Sequence, residues 1–221
     1  WDKIVYFLAN YAKIFNIRVL IMSATLPKID ALHPDLNGSF ISLISNRDQY
    51  YSNQNFAGRV SFDFTFADKQ RPINKEDKEN YLLELSDLIS EKAELYASLN
   101  NQKVNILIEF ITKKTAAFFF NQLNNDIRFE DYKILLLSGD ILEFRRKEII
   151  NSIKEQVYPK VIVVSTQVVE AGVDIDMDIG FKDRSLIDSD EQLAGRINRN
   201  ASKKNCIVYF FDFDKTSTIY G

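Results

Sequence analysis

Residues 163–174 hold the side chains best suited to contact a phosphorylated ligand. An apolar run ends in two hydroxyl residues and an amide, and the segment continues to a glycine and an aspartate. Ligands of parallel sheets bind beyond the carboxyl ends of strands, where Thr166 would offer a hydroxyl and an amide to a phosphate. Gly172 permits close backbone approach, and Asp174 would accept hydrogen bonds from a ribose. The alternative is an ordinary strand and turn followed by a solvated aspartate.

A second segment, residues 192–199, has the composition of a polyphosphate reader. On a helix, Gln192, Arg196 and Arg199 follow the spacing i, i+4, i+7 and therefore share one face. Two planar guanidinium groups beside an amide recognise polyphosphate through paired hydrogen bonds. Gly195 disfavours a helix by about 1 kcal/mol relative to alanine, which indicates close approach by another backbone. The alternative is a solvated basic face at a helix C-terminus.

A third segment, residues 21–27, places three small residues at the end of a predicted strand. Ser23, Ala24 and Thr25 follow an apolar run and precede Pro27, which cannot simply continue a strand ladder. Two hydroxyl groups at a strand end would suit a relay between a nucleotide site and a neighbouring domain. A capped turn is the alternative for this segment.

The elements that position these segments alternate between strands and helices. A helix opens the chain, and a buried strand is predicted at 18–22, with two further candidate strands at 40–44 and 60–64. A long helix at 76–99 follows, its apolar stripe formed by Tyr81, Leu82, Leu85, Leu88, Ile89, Leu95 and Leu99. Strands are then predicted at 104–110, 133–137, 161–165 and 207–211, and helices at 113–123, 142–155 and 188–198. This alternation predicts an α/β fold, with a parallel sheet covered by helices on both faces.

Two of these helices carry sequence signals for a capping box. Asp140 with Glu143, and Asp188 with Glu191, place an acidic N-cap three residues before a glutamate. Both pairs precede apolar periodicity, so each predicts where its helix begins.

Composition limits the classes of function. The 221 residues are 46% hydrophobic and 27% charged, with a net charge of -3, so no global basic field indicates nucleic-acid binding. One cysteine, Cys206, and one histidine, His33, cannot supply the four ligands of a structural zinc site, and no metal site is predicted. The absence of a long apolar run and the cysteine count favour a cytoplasmic protein with no membrane partner.

The three segments, in this order, resemble motifs III, V and VI of superfamily 2 helicases. Ser23-Ala24-Thr25 matches the S-A-T motif, residues 165–174 match motif V, and residues 192–199 match Q-x-x-G-R-x-x-R. Within that superfamily, residues 168–176 and 188–200 are most similar to the CRISPR-associated helicase-nuclease of type I systems. The resemblance implies a RecA-like sheet, with residues 1–45 as the end of a first RecA-like domain and 46–221 as the second.

The resemblance also implies roles for individual residues. Arg196 and Arg199 would be arginine fingers, and Gln192 would position them or touch the γ-phosphate. Gly172 and Asp174 would meet the nucleotide. Ser23, Ala24 and Thr25 would couple hydrolysis to strand movement. Contacts to the nucleic-acid backbone would come from Thr166, Thr112, Ser138 and Gly139.

Cofactors and partners follow from the same resemblance. No G-x-x-x-x-G-K-[S/T] loop or acidic D-E-x-[H/D/Q] motif is present, so ATP and Mg²⁺ would be bound mainly by the first RecA-like domain. The expected partners are single-stranded DNA, the upstream RecA-like and nuclease domains of the same protein, and a guide-RNA surveillance complex. By itself, this chain is expected to be inactive.

Two other functions are compatible with these motifs. One is a superfamily 2 helicase that acts on DNA or RNA without any link to CRISPR. The other is a non-catalytic RecA-like module that binds nucleic acid. The two arginines disfavour a pure binding module, because such a module has no need to sense a γ-phosphate.

Overall fold

The chain divides into two compact units, Trp1–Asn53 and Gln54–Gly221. A computed structural model describes residues 2–22, 40–44, 46, 49, 52–53, 57–169, 173–185 and 187–214. The predicted boundary lay at residue 45, eight residues before the division between the units. That the first unit is the end of another RecA-like domain stays a prediction.

The first unit contains the predicted opening helix, α1 (Asp2–Phe15). Its Val5 is buried, with Ala9, Ile21 and Phe40 packed against it. The predicted strands at 18–22 and 40–44 are wrong, because these residues form no strand and most of them are exposed. Among the described residues of this unit, no neighbouring strand completes their backbone hydrogen bonds, which a buried strand requires.

The second unit is built on one six-stranded sheet in which every pairing is parallel. The strand order is β1-β6-β5-β2-β4-β3. The strands are β1 (Ser61–Asp63), β2 (Val104–Glu109), β3 (Lys133–Leu137), β4 (Lys160–Ser165), β5 (Ile179–Asp183) and β6 (Ile207–Phe211). The predicted strands of this unit are confirmed, and the bounds of β3 and β6 agree with the prediction residue for residue.

Burial along the strands follows their positions in the sheet. The central strands β2, β4 and β5 are buried over almost their whole length, because helices cover both faces of a parallel sheet. In the edge strand β1 most residues are exposed, and in the edge strand β3 buried residues alternate with more exposed ones. The chain leaves β4 at one side of β2 and re-enters the sheet as β5 on the other side. Residues 166–169 and 173–178 belong to this crossing, so they lie where open α/β sheets bind their ligands.

The described residues of the second unit form four α-helices: α2 (Lys75–Leu99), α3 (Lys113–Asn124), α4 (Glu143–Lys154) and α5 (Ile187–Ala194). Helix α2 begins at a capping box between Asn74 and Asp77, and α3 begins at Thr112, whose side chain accepts the Thr115 amide. These caps determine the residue at which each helix begins.

Three local predictions are wrong. Helix α4 begins after Leu142 with no side-chain cap, since Asp140 pairs instead with Lys113 at 2.6 Å. In α2, Leu95 and Leu99 are exposed, and Ala93, Tyr96 and Ala97 are buried in their place. Helix α5 ends at Ala194 rather than at Asn198. The predicted box on Asp188 depends on a side chain that lies outside the description.

Candidate nucleotide and strand-contact site

Arg196 and Arg199 are presented by a turn that follows helix α5. We name residues 195–199 the arginine turn. The Arg196 carbonyl accepts the Met177 amide at 2.9 Å, and Met177 forms an isolated parallel bridge with Ile197. These hydrogen bonds to a distant segment replace the next bonds of the helix, which is why the helix ends at Ala194. The expectation that the two arginines share a helical face is therefore wrong.

The two arginines nevertheless lie beside Asp174. Arg199 Nε is 3.1 Å from Asp174 Oδ1, and Lys154 Nζ is 2.7 Å from Asp174 Oδ2. Arg196 Nε donates to the Val169 carbonyl at 3.0 Å, which anchors this side chain just before segment 170–172. The predicted guanidinium pair and the predicted ribose acceptor therefore occupy one site.

Electrostatics in this site follow from the crowding of charges. The hydrogen bond from Lys154 and the positive charges of Lys154 and Arg199 lower the pKa of Asp174 below its usual value. Burial lowers the pKa of Arg196, and the neighbouring positive charge of Arg199 adds to that shift. An arginine stays protonated at neutral pH even so, and a half-buried cation with a like-charged neighbour is an attractive anion site.

Gly195 and Gln192 stand at the start of the arginine turn. A Cβ atom at Gly195 would lie 3.2 Å from the Gln192 carbonyl oxygen, in the preceding turn of helix α5. Among the described residues, the predicted close approach by another backbone is therefore not seen at this glycine. Gln192 is half-buried on α5. It is therefore on the helix, whereas the two arginines are beyond its end.

Several residues that support this site carried no recognisable sequence signal. Arg59 donates to the Arg199 and Ala194 carbonyls at 3.4 Å each, from a position about 140 residues earlier in the chain. Lys154 comes from the last turn of α4, where a lysine is ordinary. Asn198, inside the motif, is buried and fully hydrogen bonded. Only a three-dimensional arrangement joins such distant residues, so spacing along the chain could not find them.

A cavity of about 460 Å³ opens beside the arginine turn. Asp174, Arg199 and Lys154 line one part of it, and Lys203 lines another part, paired with Asp176 and Asp178. Cavities of this size accommodate small ligands. These two lysines and the arginine are paired with aspartates, so the cavity attracts anions less strongly than the number of its basic residues indicates.

A second group of predicted residues lies at the carboxyl ends of the strands. We name residues 112–113, 138–140 and 166–168 the carboxyl-edge cluster. A Cβ atom at Gly139 would lie 3.6 Å from both Lys113 Nζ and Val168 Cγ1, so the loops after β2, β3 and β4 converge there. Arg146 ties α4 to the same place by donating to the Val168 carbonyl at 3.0 Å.

The four predicted strand contacts differ in how accessible they are. Gly139 is exposed and Ser138 is half-buried. The Thr112 hydroxyl lies 2.8 Å from the Thr115 hydroxyl and also caps α3, so it already has partners. Thr166 is buried, with its carbonyl accepting the Val169 amide at 3.4 Å.

Four predicted site residues cannot be placed. Gly172 and the three coupling residues Ser23, Ala24 and Thr25 lie outside the described residues. Within the described part of the chain, no group of three or more metal-ligating side chains is assembled. No helix in that part has both the length and the apolarity needed to cross a membrane.

Comparison with known proteins identifies relatives of part of this chain. Residues 100–202 match a family model described as "CRISPR-associated nuclease/helicase Cas3, C-terminal". A curated relative, the CRISPR-associated nuclease/helicase Cas3 of Methanothermobacter thermautotrophicus, is 33% identical over 128 residues. That alignment covers 54% of this chain and 15% of the relative.

Solved structures confirm the predicted fold. The crystal structure of T. fusca Cas3 matches with a TM-score of 0.54 at 17% identity, over 73% of this chain and 20% of that one. The crystal structure of T. fusca Cas3-AMPPNP matches with a TM-score of 0.51 at 17% identity, over 71% of this chain and 18% of that one. The chain therefore spans a fifth or less of the length of these relatives, and the second unit has the predicted RecA-like α/β architecture.

Proposed function

We propose that this chain carries a Cas3-like helicase C-terminal domain and acts as the second motor domain of an ATP-driven translocase of single-stranded DNA in CRISPR interference. One observation carries the proposal. Two guanidinium groups that sequence spacing singled out, those of Arg196 and Arg199, lie at one site beside Asp174. The family match alone does not require that arrangement of side chains.

The chemistry proposed for the arginines is stabilisation of charge. Transfer of a γ-phosphoryl group spreads negative charge over its oxygens, and arginine fingers supply compensating hydrogen bonds, worth about 10³–10⁵ in rate in related enzymes. Arg196 is held by the Val169 carbonyl, so its guanidinium is preorganised and little reorientation is needed. Gln192 would orient the same phosphate from α5.

Asp174 and Gly172 would face the nucleotide from this domain. Asp174 is exposed, and its carboxylate is already oriented by Lys154 and Arg199, as a hydrogen-bond acceptor for a ribose must be. ATP and Mg²⁺ would be held mainly by a first RecA-like domain with a phosphate loop. This chain would close the site from the opposite side.

The carboxyl-edge cluster is proposed to hold the phosphates of a single strand. Helix α3 begins in this cluster, and a helix N-terminus favours phosphate through its free amides and dipole. Lys113 adds a cation, and Gly139 leaves the backbone open to close approach. The side chains of Ser138 and Thr112 would contribute hydroxyl groups, and Thr166 would contribute from the base of the cluster.

The remaining parts of the proposal concern coupling and partners. Ser23, Ala24 and Thr25 would couple hydrolysis to strand movement. A nuclease domain and a guide-RNA surveillance complex would act with the motor, the first by cutting the strand and the second by delivering it.

Hydrolysis stimulated by a single strand tests the proposal, in the protein that joins this chain to a phosphate-loop domain. Arg196→Lys and Arg199→Lys keep the charge but lose the planar fork, so each is expected to reduce kcat by about 10³-fold. Arg145→Lys is the matched control, because Arg145 is exposed and pairs with Glu148 in its own helix. This chain by itself is expected to release no phosphate above background.

Unchanged hydrolysis in both arginine variants would reject the motor proposal and favour a non-catalytic nucleic-acid-binding module. Stimulation by RNA but not by DNA would instead favour a superfamily 2 helicase outside CRISPR. Binding of a labelled single strand to the same variants separates loss of catalysis from loss of the strand site.

A further inference from the structure

Asn198 has an unusual position between the two arginines. Its backbone has φ 46°, in the left-handed region, and its side chain is only 2% exposed. Asparagine tolerates left-handed backbone better than most residues, but the side chain is usually found at the surface. A buried asparagine in this conformation therefore has a specific structural task.

The polar atoms of Asn198 all have hydrogen-bond partners. Its amide donates to the Met177 carbonyl at 2.8 Å, and its carbonyl accepts the Ala201 amide at 2.9 Å. Nδ2 donates to the carbonyls of Arg59 at 2.8 Å and Lys203 at 3.0 Å, and Oδ1 accepts the Lys203 amide at 2.9 Å. Both acceptors of Nδ2 are carbonyls, which fixes the orientation of the side-chain amide.

These bonds join three separate segments at the arginine turn. Met177 lies in the crossing segment before β5, Arg59 lies just before β1, and Lys203 lies in the loop that leads to β6. Removal of the Asn198 side chain would leave two carbonyls and one amide without these partners in a partly buried place.

Both arginines depend on the same bonds. The Met177 amide donates to the Arg196 carbonyl, and the Met177 carbonyl accepts the Asn198 amide. Met177 therefore holds the backbone on both sides of Ile197. Arg199, the next residue after Asn198, donates its own amide to Asp176 Oδ1 at 2.9 Å. Rotation at Asn198 would therefore move Arg196 and Arg199 relative to each other.

We propose that Asn198 is the positioning residue of the arginine turn, setting the separation and direction of Arg196 and Arg199 toward the triphosphate without touching it. This inference rests on the proposed function of the two arginines. It assigns a role to a position that Q-x-x-G-R-x-x-R leaves unspecified.

Three substitutions separate the contributions of Asn198. Asn198→Ala removes the side-chain bonds and leaves a residue that resists the left-handed region. Asn198→Gly also removes the bonds but accepts this backbone conformation freely. Asn198→Asp keeps the acceptor for the Lys203 amide and loses both donated bonds. The matched control is Asn205→Ala, because Asn205 also has a left-handed φ, 57°, but is exposed.

The experiment measures strand-stimulated ATP hydrolysis, in the protein with both motor domains and below the melting temperature of every variant. Small misplacement of catalytic groups can cost about 10²-fold in rate. We expect Asn198→Ala and Asn198→Gly to lower kcat by about that factor while KM for ATP changes less than about threefold. Affinity for ADP with aluminium fluoride, a mimic of the transition state, should fall more than affinity for a non-hydrolysable ATP analogue.

The outcomes separate the two proposals. If Arg196→Lys lowers kcat but Asn198→Ala and Asn198→Gly leave kcat and the aluminium fluoride affinity unchanged, Asn198 is not a positioning residue. If Arg196→Lys also leaves kcat unchanged, the motor function itself fails, and the inference fails with it. If Asn205→Ala lowers kcat as much as Asn198→Ala, the loss reflects left-handed backbone in general and rejects a specific role for Asn198.

Discussion

Arg199 Nε lies 3.1 Å from Asp174 Oδ1, on a carboxylate whose other oxygen receives Lys154 Nζ at 2.7 Å. An arginine proposed to meet a triphosphate is thus paired with a carboxylate of the same chain. A triphosphate would compete with the Asp174 carboxylate for the same guanidinium group. The strength of that competition is modest, because all three side chains are at least partly exposed.

Asp174→Asn should therefore improve ATP binding to the protein with both motor domains. The amide keeps an acceptor for a ribose but loses the charge that competes for Arg199. An exposed ion pair is weak because solvent screens it, so KM for ATP should fall by no more than about fivefold. Asp131→Asn is the control, because Asp131 is exposed and lies 4.0 Å from Lys160, a residue outside the site. A rise in KM would show that Asp174 contributes binding through its charge.

Gly180 on β5 should not tolerate a side chain. A Cβ atom there would lie 3.0 Å from Leu193 Cδ2 and 3.1 Å from Val208 Cγ2, both in buried residues. Gly180→Ala should lower the free energy of unfolding by about 1–3 kcal/mol through overpacking. Gly139→Ala is the matched control, with no atom nearer than 3.6 Å, and its effect should stay within about 0.5 kcal/mol. Chemical denaturation of the chain measures both, and equal stabilities would contradict the packing argument.

Asp183 should make stability depend on pH. Burial at the end of β5 raises its pKa to about 8, although the amides of Phe213 and Asp214 donate to its two oxygens. Since the folded pKa is above the unfolded value of about 3.9, the folded state holds a proton that the unfolded state releases between those values. The contribution to stability is complete below about pH 4 and is lost as pH rises through about 8.

Unfolding of the chain and of Asp183→Asn at pH 5 to 8 tests this prediction. The free energy of unfolding of the unchanged chain should fall with pH relative to the variant, by at most about 1.4 kcal/mol per pH unit for one proton. Parallel curves for the two proteins would mean that Asp183 is ionised in the folded state throughout this range.

Lys113 should contribute to strand binding at the carboxyl-edge cluster. Each phosphate contact made by a lysine adds about 0.7 to the salt dependence of single-strand affinity, expressed as the slope of log K against log salt. Lys113→Met should lower the affinity for a fluorescent oligodeoxythymidine and reduce that slope by about 0.7. Lys75→Met is the control, because Lys75 is also exposed but pairs with Glu79 in its own helix, α2. Equal effects of the two changes would place the strand elsewhere.

Five of the six strands of the second unit were predictable because they are local signals. Strand β5 (Ile179–Asp183) was not predicted, because Gly180, Lys182 and Asp183 interrupt its apolar run. Short apolar runs bounded by turn residues gave the bounds of β3 and β6 directly, and alternation with helices indicated the parallel arrangement. Predictions failed where a distant residue decided the local structure. Asp140 looked like a helix cap, but Lys113, 27 residues earlier, takes its carboxylate.

The candidate site shows the same limit in another form. The sequence correctly indicated that Arg196, Arg199 and Asp174 lie together, but it predicted a helix where the structure has a turn. Residue spacing alone contains no information about Met177, whose bonds to Arg196 and Asn198 end the helix. In the first unit, residues 18–22 have the composition of a strand but, among the described residues, no partner strand.

The bond from Asn198 Nδ2 to the Arg59 carbonyl spans 139 residues of chain, from just before the first strand of the sheet to just before the last. Closing so long a loop has an entropic cost, and contacts of this range form slowly in folding. We therefore expect the arginine turn to acquire amide-exchange protection later than β2 and β4, which are neighbours within the sheet. A domain with this design cannot bring Arg196 and Arg199 together until the sheet around them is complete, so an incompletely folded chain would lack the proposed site.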